Sequence, residues 1–304
     1  MTTPTMSLSL GRRATRFWRR NAAGYLFILP SLTFFVVFVA VPVFYAVVLA
    51  FQNVKPRTSE WVGLANFVAL VGDRVFWISL LNTAVYAVIV VTFQIIEALV
   101  VAGLLQPLTN RWQTFFRAGF YLPLVNSAIL VAMVWRWIYN PNQYGLLNAL
   151  LAPFHLGPYQ WLGNPDTALW SIIGSVVLTV PGGGVVLYSA AAASIPRELY
   201  EVAAIDGAGR LAQWRHVTLP LLKPTTLYLV VIYTIAAFQV FERVYIMTGG
   251  GPGYSTMTLV QLIYNTGFQF SKFGLASAQA LVLFVIVAAI SVVQFRWLST
   301  DVEY

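Results

Sequence analysis

Scattered through long apolar stretches of this chain are a few side chains able to hydrogen bond: Asn126, Ser127, Ser175, Thr179, Tyr233, Gln239 and Gln279. All are neutral. They can receive a polar solute or tie one apolar segment to another. Glu97 is the one carboxylate well inside such a stretch. A carboxylate there is costly and often functional, as in a proton relay. Its other reading is a position about two turns before Pro107, in reach of water, Arg111 or Arg117. Glu242 and Arg243 stand at the end of another stretch and suit a mouth or an interface. The usual catalytic sets are missing. There is no cysteine, and the two histidines, His155 and His216, fall in separate loops. The chain has no His-Glu-x-x-His and no Gly-x-Ser-x-Gly. It has no Gly-x-x-x-x-Gly-Lys-Ser/Thr, so no phosphate-cradling loop of its own is expected.

The elements that must position these residues follow from composition. Of 304 residues, 59% are hydrophobic and only 9% charged, against about 25% in soluble domains. Mean hydropathy is +0.75. A soluble enzyme, a disordered chain, a coiled coil and a disulfide scaffold are excluded. Six segments approach the roughly 20 apolar residues that span a bilayer as a helix: 25–51, 76–105, 118–135, 167–195, 224–241 and 273–295. Buried backbone must pair within each segment, and a barrel would show shorter alternating runs, so an all-α membrane protein is expected. The first run is too long for a signal-peptide core of about 7–15 residues and reads as a retained helix.

Lys and Arg give the orientation. With the N-terminus inside, 12 fall on the inner side: Arg12, Arg13, Arg16, Arg19, Arg20, Arg111, Arg117, Arg197, Arg210, Arg215, Lys223 and Arg296. The outer side holds 6: Lys55, Arg57, Arg74, Arg136, Arg243 and Lys272. The positive-inside rule therefore places both termini in the cytoplasm. The net charge of +8 is this topology signal, and no nucleic-acid partner is expected. The chain divides into a basic segment 1–24, a membrane domain 25–298 and a tail 299–304. Trp61, Trp77, Trp135, Trp137, Trp161 and Trp170 suit an outer aromatic belt.

One inner segment, 196–223, is too long for a simple connection. Pro196 suits a first helical turn, Arg197 to Asp206 can be helical, and Gly207 and Gly209 are natural terminators. Leu199, Val202 and Ala203 share a face, and Ala203 and Ala204 keep part of the surface small. Glu198, Glu201 and Asp206 disfavour anionic lipid, so the helix is expected to seat in a groove of a partner protein.

Glu201-Val202-Ala203-Ala204-Ile205-Asp206-Gly207-Ala208-Gly209, followed by Leu219-Pro220, resembles the EAA motif of ABC importer permeases. Trp61 to Phe67, Arg117 to Pro123, Trp135 to Asn148, and Thr248 to Pro252 with Phe273-Gly274 resemble the maltose-permease type within that group. The resemblance covers about residues 24 to 298. It departs at Val202, where the family has alanine, at Pro181-Gly182-Gly183-Gly184, and at Glu242, where relatives often carry Asp.

The resemblance implies a type I importer permease with six spans. It implies a second permease subunit, two ATPase subunits that carry ATP and magnesium, an extracytoplasmic solute-binding protein and a sugar substrate. No cofactor is expected on this chain. Glu201, Ala203, Ala204, Asp206, Gly207, Leu219 and Pro220 would couple it to an ATPase. Asn126, Ser127, Ser175, Thr179, Tyr233, Gln239 and Glu242 are the expected pathway residues, with Asn126 and Gln239 foremost. The breaks at Pro30, Pro42, Pro123 and Pro181 would flank the pathway. Permeases for glycerol 3-phosphate or a glycerophosphodiester are a rival, as is a proton-coupled secondary transporter using Glu97. The scarcity of cations in the spans favours sugars over the phosphates.

Overall fold

The computed structural model describes residues 24–55, 58–142 and 144–298. Arg12, Arg13, Arg16, Arg19, Arg20, Arg57 and the tail 299–304 lie outside them. Helix α1 (Gly24–Ala50) runs unbroken through Pro30 and Pro42. A π turn at Val36–Ala40 lets Val41 N–H reach Val36 O, in step with the donor that Pro42 lacks. A hairpin follows, where the sequence showed only turn residues: β1 (Gln52–Lys55) pairs antiparallel with β2 (Thr58–Trp61), Gln52 opposite Trp61. Short α2 (Ala65–Gly72) leads to the long α3 (Arg74–Leu105), started by Asp73, which accepts from Val75 N–H at 2.8 Å.

The expected third span is two helices, α4 (Asn110–Val125) and α5 (Ala128–Ile138), bent by 84°. Pro123 is carried inside α4, and the break falls at Asn126 and Ser127. A loop with α6 (Leu146–Leu151) precedes the expected fourth span. That span is also two helices, α7 (Pro165–Val177) and α8 (Gly182–Ala193), bent by 41° around Pro181. Then come α9 (Arg197–Ile205), α10 (Arg210–Leu221) and α11 (Lys223–Phe238). α11 stops three residues short of the expected Phe241, at Gln239, and α12 (Glu242–Met247) starts afresh. α13 (Leu259–Tyr264) and α14 (Phe273–Leu298) complete the chain.

α1, α3 and α14 are each long and apolar enough to cross a membrane. With α4/α5, α7/α8 and α10/α11 each counted as one bent span, there are up to six. α3 is central and packs on α7, α8 and α11, while α14 packs on α1 and α11. The main core holds Phe76, Tyr86, Val90, Ile172, Phe238 and Leu259. A smaller core joins Ala98, Ala102, Val185, Tyr188 and Leu229 near the α9 end. Much of the outer face is apolar, with Phe27 and Trp297 each 86% exposed, as suits a surface met by lipid or other subunits.

Candidate functional site

The broken spans converge. Asn126 at the α4/α5 break and Thr179 to Gly183 at the α7/α8 break line one cavity of ≈ 470 Å³. Gln94 of α3, Tyr228 and Tyr233 of α11, and Arg243 of α12 complete its polar wall. Irregular backbone at membrane depth lines protein or a wet cavity, because its freed groups need partners there. A larger cavity of ≈ 660 Å³ is lined by Arg136, Asn140, Gln160 and their neighbours, on the loop side of α5.

Close packing of α8 shapes the first cavity. A Cβ on Gly182 would run into the Phe120 carbonyl of α4. One on Gly184 would lie 2.5 Å from the Tyr233 hydroxyl and 2.9 Å from Ala98 Cβ. The glycines after Pro181 thus let α8 approach α3, α4 and α11 closely enough to close the wall.

Of the expected pathway residues, the structure brings Asn126, Thr179 and Tyr233 together on this wall. Ser175 is fully buried behind it, donating to Ile172 O at 2.6 Å. Ser127 is exposed ahead of α5, Gln239 is exposed at the end of α11, and Glu242 is exposed in the first turn of α12. Gln279 is buried in α14, its Oε1 without a partner in the described chain. Three polar wall residues are not among the expected pathway residues: Gln94, Tyr228 and Arg243. A continuous span 224–241 leaves Arg243 at its edge. The break at Gln239 to Phe241 turns α12, so that Arg243 faces the cavity. It donates to Ser175 O and Oγ at 3.1 and 3.0 Å. The phenols of Tyr86 and Tyr139 are among its electrostatic neighbours.

At the end of the bundle away from the hairpin and the Asn140 to Asn164 loop, α9 stands out. Leu199, Val202 and Ile205 are 43%, 57% and 85% exposed, and Glu201, Ala204 and Asp206 are exposed beside them. The inner face is tied down: the Tyr200 and Thr218 hydroxyls are 2.9 Å apart, and Gln213 Nε2 donates to Ala208 O at 3.1 Å. Ala203 is half-buried, as are Leu219 and Pro220 in the last turn of α10. Gly207 takes a φ of +82°, and Ala208 N–H closes the helix on Ala203 O at 2.9 Å. A Cβ at Gly207 would meet nothing within 4 Å, so its backbone angle, not space, calls for glycine.

Several sequence stretches beyond 196–223 meet around two asparagines. Asn66 donates to Ala50 O and Gln52 O at 2.9 and 3.0 Å, Trp61 and Phe67 flank Phe51, and a Cβ on Gly274 would strike the Gln52 carbonyl. Asn148, 2% exposed, donates to Asn140 O and Tyr159 O and accepts from Tyr159 N–H and Trp161 Nε1–H. These residues hold the loops; they do not line the cavity between the broken spans. Among the described residues no group of His, Cys, Asp or Glu is placed to hold a metal ion.

A bundle of broken helices around a polar cavity, with a helix presented at one end, is the architecture of importer permeases. A model of the family described as "binding-protein-dependent transport system inner membrane component" matches residues 94–303. The chain belongs to this family and is a multi-pass inner-membrane protein. It is 38% identical over 284 residues to the "probable ABC transporter permease protein YurN" of Bacillus subtilis, covering 92% of this chain and 97% of that one. It is 32% identical to the "trehalose/maltose transport system permease protein MalF" of Thermococcus litoralis, over 92% and 94% of the two chains. It superposes, with a TM-score of 0.85 and 23% identity, on a chain of the crystal structure of a bacterial ABC transporter involved in the import of the acidic polysaccharide alginate. The match covers 96% of this chain and 100% of that one, and is a likeness of fold.

Proposed function

We propose that this chain is a permease subunit of an ATP-binding-cassette importer. It carries a sugar or oligosaccharide inward across the cytoplasmic membrane, with six spans and both ends inside. ATP, with magnesium, is hydrolysed on two partner ATPases. A second permease completes the pathway, and a solute-binding protein delivers substrate from outside. The observation that carries this reading is α9: an exposed apolar row of Leu199, Val202 and Ile205, stiffened from behind through Tyr200 and Gln213 and ended by Gly207. Such a helix fits a groove on another protein. Held in a cleft that closes, it transmits that motion through α10 to α11. A relative named for trehalose/maltose transport, and the neutral wall residues Asn126, Thr179 and Tyr233, support the sugar. The test is affinity capture of the full chain in mild detergent, followed by reconstitution with whatever co-purifies. The expected result is a second permease, an ATPase, and uptake that needs ATP and binding protein. Recovery of the chain alone, with uptake unaffected by loss of ATP, would overturn it.

Arg243 on the cavity wall favours a second reading, in which the solute is anionic, as glycerol 3-phosphate or a glycerophosphodiester would be. A guanidinium is a strong partner for phosphate or carboxylate. Uptake by Arg243→Gln separates the two. A neutral sugar importer retains most transport, whereas an anion importer loses it.

A further inference from the structure

A separate cavity of ≈ 390 Å³ lies at the α9 end, enclosed by the end of α3, the start of α4, the end of α8 and the start of α9. Its polar wall includes Arg117, Arg197, Gln106, Asn110, Gln113, Ser189 and Tyr200, and no carboxylate lines it. Two guanidiniums therefore face one small space with no balancing charge among its walls. The site is built. Gln113 Nε2 donates to Gln106 O and Leu108 O at 3.1 and 2.9 Å, which fixes its Oε1 to accept from Arg117 Nη2 at 2.9 Å. Arg117 is thus oriented, while its buried Nε has no partner in the described chain. Ser189 is 5% exposed, and its Oγ also has none. A helical Ser or Thr commonly bonds back to a carbonyl one turn earlier, as Ser171 and Thr92 do here. Ser189 and Arg117 line the same cavity, and each carries a buried polar atom without a partner in the described chain.

We infer that this cavity binds a phosphate monoester, whose double negative charge matches the two arginines and whose oxygens accept from Arg117, Arg197 and Ser189. Arg197 is the first residue of α9 and Arg117 belongs to α4, so a bound phosphate ties the projecting helix to the spans. Two sources carry that chemistry: a lipid headgroup, such as phosphatidic acid, and a soluble phosphorylated metabolite. The site is distinct from the cavity between the broken spans, and its test requires neither transport nor partners.

The test uses the full chain in nanodiscs of phosphatidylcholine. Thermal unfolding is followed with glucose 6-phosphate, with glucose, with sodium chloride at equal ionic strength, and with discs containing phosphatidic acid. Stabilisation by glucose 6-phosphate or phosphatidic acid, and not by glucose or salt, is the expected result. The first alone identifies a soluble ligand and the second alone a lipid. Arg197→Gln, an exposed position, weakens the effect about tenfold or more, since it removes charge-assisted hydrogen bonds. Ser189→Ala, which keeps the fold, weakens it less. No stabilisation by either phosphate, or one that Arg197→Gln leaves unchanged, overturns the site. Neither result bears on the importer reading, which ATP-dependent uptake tests by itself.

Discussion

The backbone of Gly184 lies directly against the Tyr233 hydroxyl, where a single added carbon would sit 2.5 Å from that oxygen. This contact joins α8 to α11 beside the cavity that Tyr233 lines. Gly184→Ala must push Tyr233 or Ala98 aside. Overpacking of this kind costs about 1–3 kcal/mol, read as a lower unfolding temperature in detergent. Tyr233→Phe removes the oxygen but not the ring, so the pair Gly184→Ala with Tyr233→Phe recovers part of the loss. Equal stability of Gly184→Ala and the unaltered chain would show that the helices are not in this contact.

How much of this was visible in the sequence depends on the element. α1, α3 and α14 are long apolar runs whose composition shows their helices directly, even though α1 carries Pro30 and Pro42. The breaks are harder. Pro181 with three glycines marks its break plainly, but Pro42 is absorbed by a π turn and Pro123 by α4, whose end comes later at Asn126. Proline removes one donor; whether the helix then ends depends on what packs beside it. Arg243 shows the consequence. A continuous helix through Gln239 left it at an edge, and only the fresh start of α12 brings it to the cavity. Segment 196–223 is legible because its signal is local: a proline, an apolar row and a terminating glycine within a dozen residues, and that glycine takes φ +82°.

Asn148 shows a different division of labour, since a residue in a loop can be all structure. Its side chain makes four hydrogen bonds while 2% exposed. Asn148→Leu keeps the volume and strands four partners. Each buried group left unpaired costs about 1–3 kcal/mol, so the loop from Asn140 to Asn164 loosens. Faster proteolysis within that loop, with α3 and α14 intact, is the expected outcome. Asn148→Asp keeps the two acceptances from Tyr159 and Trp161 and loses the two donations, so it falls between. Cleavage rates that do not differ among the three would refute this role.

Glu97 offers a test between transport classes. It is half-buried in α3, and its Oε2 has no partner in the described chain, but it is not on the wall of the cavity. If hydrolysis on partner subunits drives uptake, Glu97→Gln leaves ATP-dependent uptake within about twofold, because a neutral amide at this site costs no more to bury than the acid. A protonophore added to ATP-loaded vesicles likewise has little effect. Uptake abolished by both treatments would instead make Glu97 a proton carrier.

Gly207 allows the sharpest test of the force route, because strain there can be varied without filling space. At φ +82° an ordinary side chain costs about 1–2 kcal/mol, and Asn less, since its short polar side chain tolerates the left-handed region. Nothing lies within 4 Å of a Cβ at this position, so no neighbour clashes and the bundle itself is undisturbed. The strain falls on the turn between α9 and α10, where Ala208 N–H closes on Ala203 O. It is relieved by swinging α9 away from its seat. The series Gly207, Gly207→Asn, Gly207→Ala, Gly207→Val therefore lowers ATPase co-purification and ATP-driven uptake in that order, by about 5–30-fold at the far end for a strain of 1–2 kcal/mol. The unfolding temperature of the isolated chain changes little across it. Gly207→Asp adds a negative charge beside exposed Asp206 and Glu201 and is expected to arrest transport. Full coupling in Gly207→Val would mean that α9 is not the element through which the partner acts.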